Sequence, residues 1–144
     1  MTPERRVRIR GTALDAIAAH ARAEQPLECC GLLIAASDLI IGAVATPNLA
    51  ADPDRRFEIP PIEQIRQMRR CRALTAETGQ RHDVVGAYHS HPRSAPAPSA
   101  TDLQEAFGEF LYLIAGPVAD AGEIEIRAYR LKRGVFESIT LEGC

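Results

Sequence analysis

Two histidines one residue apart, His89 and His91, are followed by Ser99 and Asp102 in the pattern H-x-H-x7-S-x-x-D. The apolar run Val84-Val85-Gly86-Ala87-Tyr88 just before them predicts a buried strand. If that strand continues through the histidines, its two-residue period puts both imidazoles on one face, with Cα atoms roughly 7 Å apart. Ser90 then points away. Two neutral imidazoles, the Asp102 carboxylate and an open fourth position describe a catalytic zinc site, whereas a structural zinc is closed by four protein ligands. Ser99 and Asp102 also read as a helix start, with Ser99 as N-cap and an acidic residue in the first turn. The two readings are compatible, because a capped helix would hold Asp102 rigidly near the strand end. Pro92, Pro96 and Pro98 restrict the backbone between the ligands.

Zinc at His89, His91 and Asp102 would lower the pKa of a bound water to about 7. A base must still take the proton and return it to a leaving amine. Glu28 is the best candidate, a lone carboxylate heading the apolar stretch Leu27–Ala36, where burial would raise its pKa. The alternative for Glu28 is the exposed tip of that strand. The Ser99 hydroxyl can donate to a developing oxyanion, a contribution typically worth about 10²–10³ in rate. Together these parts specify metal-assisted hydrolysis of an amide.

The elements that must position these groups follow from periodicity. Arg6–Arg10 alternates and suits an edge strand. Thr12 predicts the N-cap of a helix running to about Glu24, with Leu14, Ile17, Ala18 and Ala21 as its apolar stripe. His20 lies off that stripe and reads as a solvated residue. Leu27–Ala36 predicts a strand in which Gly31 allows close backbone approach. Strand period puts Cys30 on the same face as Glu28; Cys30 suits a small core residue, and a thiolate near zinc stays open. Leu39–Thr46 is its hairpin partner through Ser37-Asp38. A turn-rich loop carrying Asn48 leads to a short strand at Arg56–Ile59.

Pro61 opens a helix to about Thr78, with Ile62, Ile65, Met68 and Arg72 marking its inner edge and Gly79 ending it. Arg66, Arg69, Arg70 and Arg72 make it locally basic, as a solvated face or a surface for an acidic partner. A short helix at about Thr101–Phe107, a strand at Phe110–Ala115 and a hairpin of Glu123–Leu131 with Val135–Leu141 around Arg133-Gly134 complete the chain. The fold class expected is α/β, a mixed sheet flanked by about three helices with its site at strand ends.

Composition narrows the function. A length of 144 residues suits one domain spanning 1–144. A net charge of −2 gives no basic footprint for nucleic acid. No apolar run is long enough to cross a bilayer, and Met1–Arg10 lacks the apolar core of a signal peptide, so a cytoplasmic location is expected. Neither G-x-G-x-x-G nor a phosphate loop is present. The four cysteines form no C-x-x-C pattern; Cys29, Cys30 and Cys71 suit reduced, buried thiols.

Glu28-Cys29-Cys30-Gly31 followed by His89-x-His91-x7-Ser99-x-x-Asp102 resembles the JAMM (JAB1/MPN/Mov34, MPN+) metallopeptidases, whose signature is E-x-C-G with H-x-H-x7-S-x-x-D. The similarity extends along the chain, through the early helix, the Asn48 loop, Arg56-Phe57-Glu58-Ile59-Pro60 and the closing hairpin, and the compact size is most like the prokaryotic branch. The resemblance implies one zinc ion held by His89, His91 and Asp102, with Glu28 as general base and Ser99 stabilising the tetrahedral intermediate. It implies a β-sheet core with flanking helices, similar to the cytidine deaminases, although the deaminase H-x-E and P-C-x-x-C set is missing.

Eukaryotic members are deubiquitinating isopeptidases with ubiquitin-gripping insertions, and here the segments around 48–58 and after Asp102 are short. Prokaryotic relatives act on small ubiquitin-like sulfur carriers ending in Gly-Gly. Such a carrier is the expected partner of a monomer or homodimer. Arg56–Ile59 and Pro92–Pro98 are the expected walls of a groove for its tail, which as an extended peptide can pair with a sheet edge. Two other readings stay open: a zinc hydrolase of small or cell-wall peptides, and a non-catalytic MPN interaction module.

Overall fold

The computed structural model describes residues 6–105, 110–117 and 123–144. Seven strands are ordered β1-β3-β2-β4-β5-β6-β7 and close on themselves: β1 (Arg6–Ile9), β2 (Cys30–Ala36), β3 (Leu39–Thr46), β4 (His82–Ser90), β5 (Leu111–Pro117), β6 (Ile124–Lys132) and β7 (Val135–Gly143). The helices are α1 (Gly11–Glu24), α2 (Pro61–Thr78) and α3 (Ala100–Glu105). Among the described residues, a sheet with three helices is as expected; the closure is not. β1 is no edge strand. It lies parallel to both β3 and β7, pairing Arg6 with Thr140 and Ile9 with Ile40. Alternation reveals which residues face the core but not which strand lies alongside, so closure leaves no mark on the pattern.

The two hairpins turn where expected. Ser37 takes a positive φ at the β2–β3 turn, and Arg133 and Gly134 both do so between β6 and β7, as a two-residue turn matched to strand twist requires. α1 lies against the face carrying Leu33, Tyr88 and Leu113, to which it adds Ala13, Ile17 and Ala21. Its start differs from expectation. The N-cap is Arg10, without a side-chain bond, and Thr12 lies inside the helix; the Gly11 N–H is satisfied instead by the Cys144 carbonyl at 2.9 Å. His20 is only half out of the core, its Nδ1 2.7 Å from the Tyr88 hydroxyl. Gly31 stands directly across from Tyr88, and a Cβ there would run into the Tyr88 ring.

α2 has the expected bounds, with Pro61 in its first turn and Gly79 in the left-handed conformation after it. Its inner face differs. Gln67 and Cys71 are buried, whereas Ile62, Ile65 and Met68 are about half exposed. Thr75 ties this face to the start of β4, accepting from the His82 N–H at 2.9 Å. β2 begins at Cys30, three residues later than expected, because the Glu28 N–H goes to the Pro53 carbonyl at 2.8 Å rather than to a neighbouring strand. Arg56–Ile59 is not a strand. Leu49 donates to the Glu58 carbonyl, but the Asn48 side chain takes the Glu58 N–H and the Arg56 carbonyl that a ladder would use. The predicted end of α3 at Phe107 and the segment Met1–Arg5 fall outside the described residues. No described helix is long and apolar enough to cross a membrane.

Candidate metal centre

The register of β2 against β4 organises the site. Cys30 pairs with His89 and Gly31 with Tyr88. Two residues further along this antiparallel register Glu28 comes opposite His91, and the Ser90 N–H to Cys29 carbonyl bond of 3.1 Å shows that the pairing persists there. Opposed residues share a face, so Glu28, Cys30, His89 and His91 face one way while Cys29 and Tyr88 enter the core against α1. β5 flanks the other side of β4 and holds the His91 N–H through the Ala115 carbonyl at 2.7 Å.

Asp102 arrives from α3. Ser99 caps that helix reciprocally: its hydroxyl accepts from the Asp102 N–H at 3.0 Å, and Asp102 Oδ2 accepts from the Ser99 N–H at 2.8 Å. This box turns the carboxylate toward the histidines. His89 Nε2 and His91 Nε2 lie 3.2 Å apart, and Asp102 places Oδ1 3.0 Å from the first and Oδ2 3.1 Å from the second. All three residues are buried. Among the described residues this is the group able to hold a metal ion.

The donor set fits a small cation. Ligands about 2.0–2.1 Å from a tetrahedral zinc stand about 3.3 Å from one another, close to the spacing found. The tautomer agrees. His91 Nδ1 lies 2.9 Å from the Ala95 carbonyl, which can only accept, so the ring proton sits on Nδ1 and Nε2 presents a lone pair to the centre. The His91 lone pair and a carboxylate 3.1 Å away suit a positive charge between them. His89 lacks the equivalent support: its Nδ1 is buried without a partner among the described residues. Its ring is instead held by Phe57, stacked at 4.3 Å between centroids and 17° between planes.

Burial lowers the pKa of His89 and outweighs the pull of Asp102. For His91 the balance reverses, since the Asp102 carboxylate and the Ala95 carbonyl overcome burial and raise it. Burial also disfavours the Asp102 anion, yet His89 and His91 hold it far below the usual carboxylate range. Glu28 goes the other way. Burial pushes its carboxyl up to about 7; His91 opposes this, and Asp102, Asp52 and Asp54 reinforce it. Its Oε1 is buried with no partner among the described residues. A carboxylate opposite one of the three residues able to hold a metal, with a proton affinity near neutrality, can exchange a proton with water there.

Cys30 shares this face but takes no part in the cluster. Its thiol meets Thr46 Oγ1 at 3.4 Å and the Pro47 carbonyl at 3.5 Å, and burial pushes it up to about 11. The loop after His91 is seated on the barrel: Pro96 is fully buried, its carbonyl accepts from the Tyr129 hydroxyl at 2.9 Å, and it packs over Gly116, where a Cβ would strike it. Behind Phe57 a cleft of about 210 Å³ is lined by Leu32, Ile59, Ala87, Phe110 and Tyr112. Sequence reasoning placed Phe57 only within a groove wall and did not see its contact with His89. An aromatic carries no spacing signal toward a distant histidine.

The sheet order and the His–His–Asp centre at a strand end define a metal-dependent hydrolase of the JAMM type, and the sequence agrees. Residues 12–132 match the family described as prokaryotic homologs of the JAB domain, so the chain belongs to that family. It is 38% identical over 119 residues to the desampylase of Haloferax volcanii, covering 78% of this chain and 81% of that protein. It is 28% identical over 135 residues to the CysO-cysteine peptidase of Mycobacterium tuberculosis, covering 88% of this chain and 83% of that one. The solution structure of a Desulfitobacterium hafniense protein superposes with a TM-score of 0.79 at 24% identity, covering 96% of this chain and 92% of that one; this likeness concerns the fold.

Proposed function

We propose that this chain, acting as one peptidase domain, is a zinc-dependent peptidase that hydrolyses the amide bond following the C-terminal Gly-Gly of a small ubiquitin-like sulfur carrier. The observation that carries the reading is the mutual 3.0–3.2 Å spacing of the His89, His91 and Asp102 donor atoms. His89, His91 and Asp102 hold the zinc, which supplies Lewis-acid polarisation of a carbonyl and acidification of water. Glu28 takes the proton from the attacking water and passes it to the departing amine nitrogen as the C–N bond breaks. A carboxyl near 7 can do both at neutral pH. Ser99 already accepts from the Asp102 N–H, so its exposed hydroxyl keeps its own proton for the oxyanion of the tetrahedral intermediate.

The substrate class rests on the relatives, one named a desampylase and one a CysO-cysteine peptidase. Phe57, stacked on His89, and the 92–98 loop, which meets His91 through Ala95, flank the centre; as groove walls they would suit a chain without side chains, such as Gly-Gly. The test is mass spectrometry of a sulfur carrier extended beyond Gly-Gly, incubated with zinc-loaded protein. The expected product ends at the second glycine, and Glu28→Gln leaves the fusion whole. An intact fusion after incubation with the zinc-loaded wild type would overturn the substrate assignment.

A further inference from the structure

The proposed base stands at the mouth of β2, where the backbone pairing with β4 reaches as far as Cys29. Glu28 precedes β2, and its own N–H is held by Pro53, itself in a loop. What stands beside it is Asn48. The Asn48 Nδ2 donates to the Glu28 carbonyl at 3.1 Å and to the Arg56 carbonyl at 3.0 Å, while its Oδ1 accepts from the Ala50 N–H at 3.0 Å and the Glu58 N–H at 2.9 Å. Both amide protons and both oxygen lone pairs are used, the full capacity of the side chain. Two carbonyls on one end and two N–H groups on the other require an amide. Aspartate could not serve the carbonyls, and a hydroxyl could not reach four partners.

These bonds join the two segments that the metal ligands do not control. One carries the base. The other, 56–58, carries Phe57, which lies flat on the His89 ring. Resting on the peptidase reading above, we propose that Asn48 is a positioning residue that holds Glu28 and the Phe57 wall at a fixed distance from each other and from the metal centre. It touches neither the ligands nor the reacting atoms. Its effect is on where the base stands when water is attacked, and a displacement of about 1 Å at a reacting group can cost about 10² in rate.

The experiment compares wild type, Asn48→Ala and Asn48→Asp, each loaded with zinc. Metal content stays at one ion per chain in all three, because the ligand side is untouched. In Asn48→Ala the Ala50 and Glu58 amides lose hydrogen-exchange protection, and the crystal structure shows the Glu28 carboxylate displaced. With the Gly-Gly fusion, kcat falls about 10²-fold with KM little changed. Asn48→Asp does not rescue it, since the donor to Glu28 is missing. An undisplaced Glu28 with kcat within about twofold of wild type, or loss of metal along with activity, would overturn the proposal. If wild type leaves the fusion intact, the substrate reading fails on its own, and the position of Glu28 in the variant structure still decides the role of Asn48.

Discussion

The two halves of the centre are built differently. The half carrying the proposed ligands comes from regular elements: His89 from β4, His91 one residue beyond it and clamped to β5, and Asp102 from the first turn of a capped helix. The half carrying the proposed base comes from chain outside the regular elements: Glu28 before β2 and Phe57 in a loop, joined by the side chain of Asn48. The proposed ligands therefore sit on regular elements, whereas the proposed base, at the mouth of the β2–β4 pairing, is fixed by loop bonds from Pro53 and Asn48. Metal binding and catalysis can thus be lost separately, and variants on each half test that separation.

The largest effect is expected on the ligand half. His91→Ala abolishes stoichiometric zinc and with it all hydrolysis, measured by elemental analysis of the purified protein; retention of one zinc per chain would break the assignment of that half. Next is Glu28→Gln, which keeps the zinc and lowers kcat by about 10²–10⁴, the usual worth of a general base. Because a base must be unprotonated, the acid limb of the wild-type kcat/KM profile falls at or below about 7, the value burial imposes on Glu28, with bound zinc adding to the pull of His91.

Ser99→Ala comes third. It lowers kcat about 10²–10³ as the oxyanion donor is removed. It also costs about 1 kcal/mol of stability, because α3 loses its cap. A stability loss without a rate loss would confine Ser99 to the ligand half. Phe57→Ala is smaller. Losing an aromatic contact of about 1 kcal/mol lowers zinc affinity several-fold, read by competition with a chelating dye.

The smallest effect appears without metal. The Glu28 carboxyl binds its proton more tightly folded than unfolded, so its contribution to stability is full below the ordinary carboxylate range. That contribution is lost as the pH rises through about 7. Glu28→Gln should then raise the melting temperature of the metal-free protein by a few degrees at pH 8 and leave it nearly unchanged at pH 4. Calorimetry at the two pH values reads the difference.

The same division separates what the sequence discloses from what it hides. Spacing along one strand and one helical turn is local, so H-x-H, S-x-x-D and the cap at Ser99 could be read directly. So could the bounds of α2, from Pro61 and Gly79, and both tight turns. Contacts made across chain distance could not. Asn48 looked like any turn residue, because its four partners lie at 28, 50, 56 and 58 and form no period. On α2 the usual rule failed. It expects the apolar stripe inside, yet Gln67 and Cys71 are buried while Ile62, Ile65 and Met68 are about half exposed. His20 looked solvated for a related reason: Tyr88, its hydrogen-bond partner, is 68 residues away.

The seated 92–98 loop has a thermodynamic consequence. With Pro96 buried and its carbonyl engaged by Tyr129, the 92–98 loop is anchored to the barrel, and the proposed peptide would meet a wall that is already in place. A flexible tail then surrenders its own freedom on docking while the enzyme surrenders little, so more of the contact energy survives as affinity.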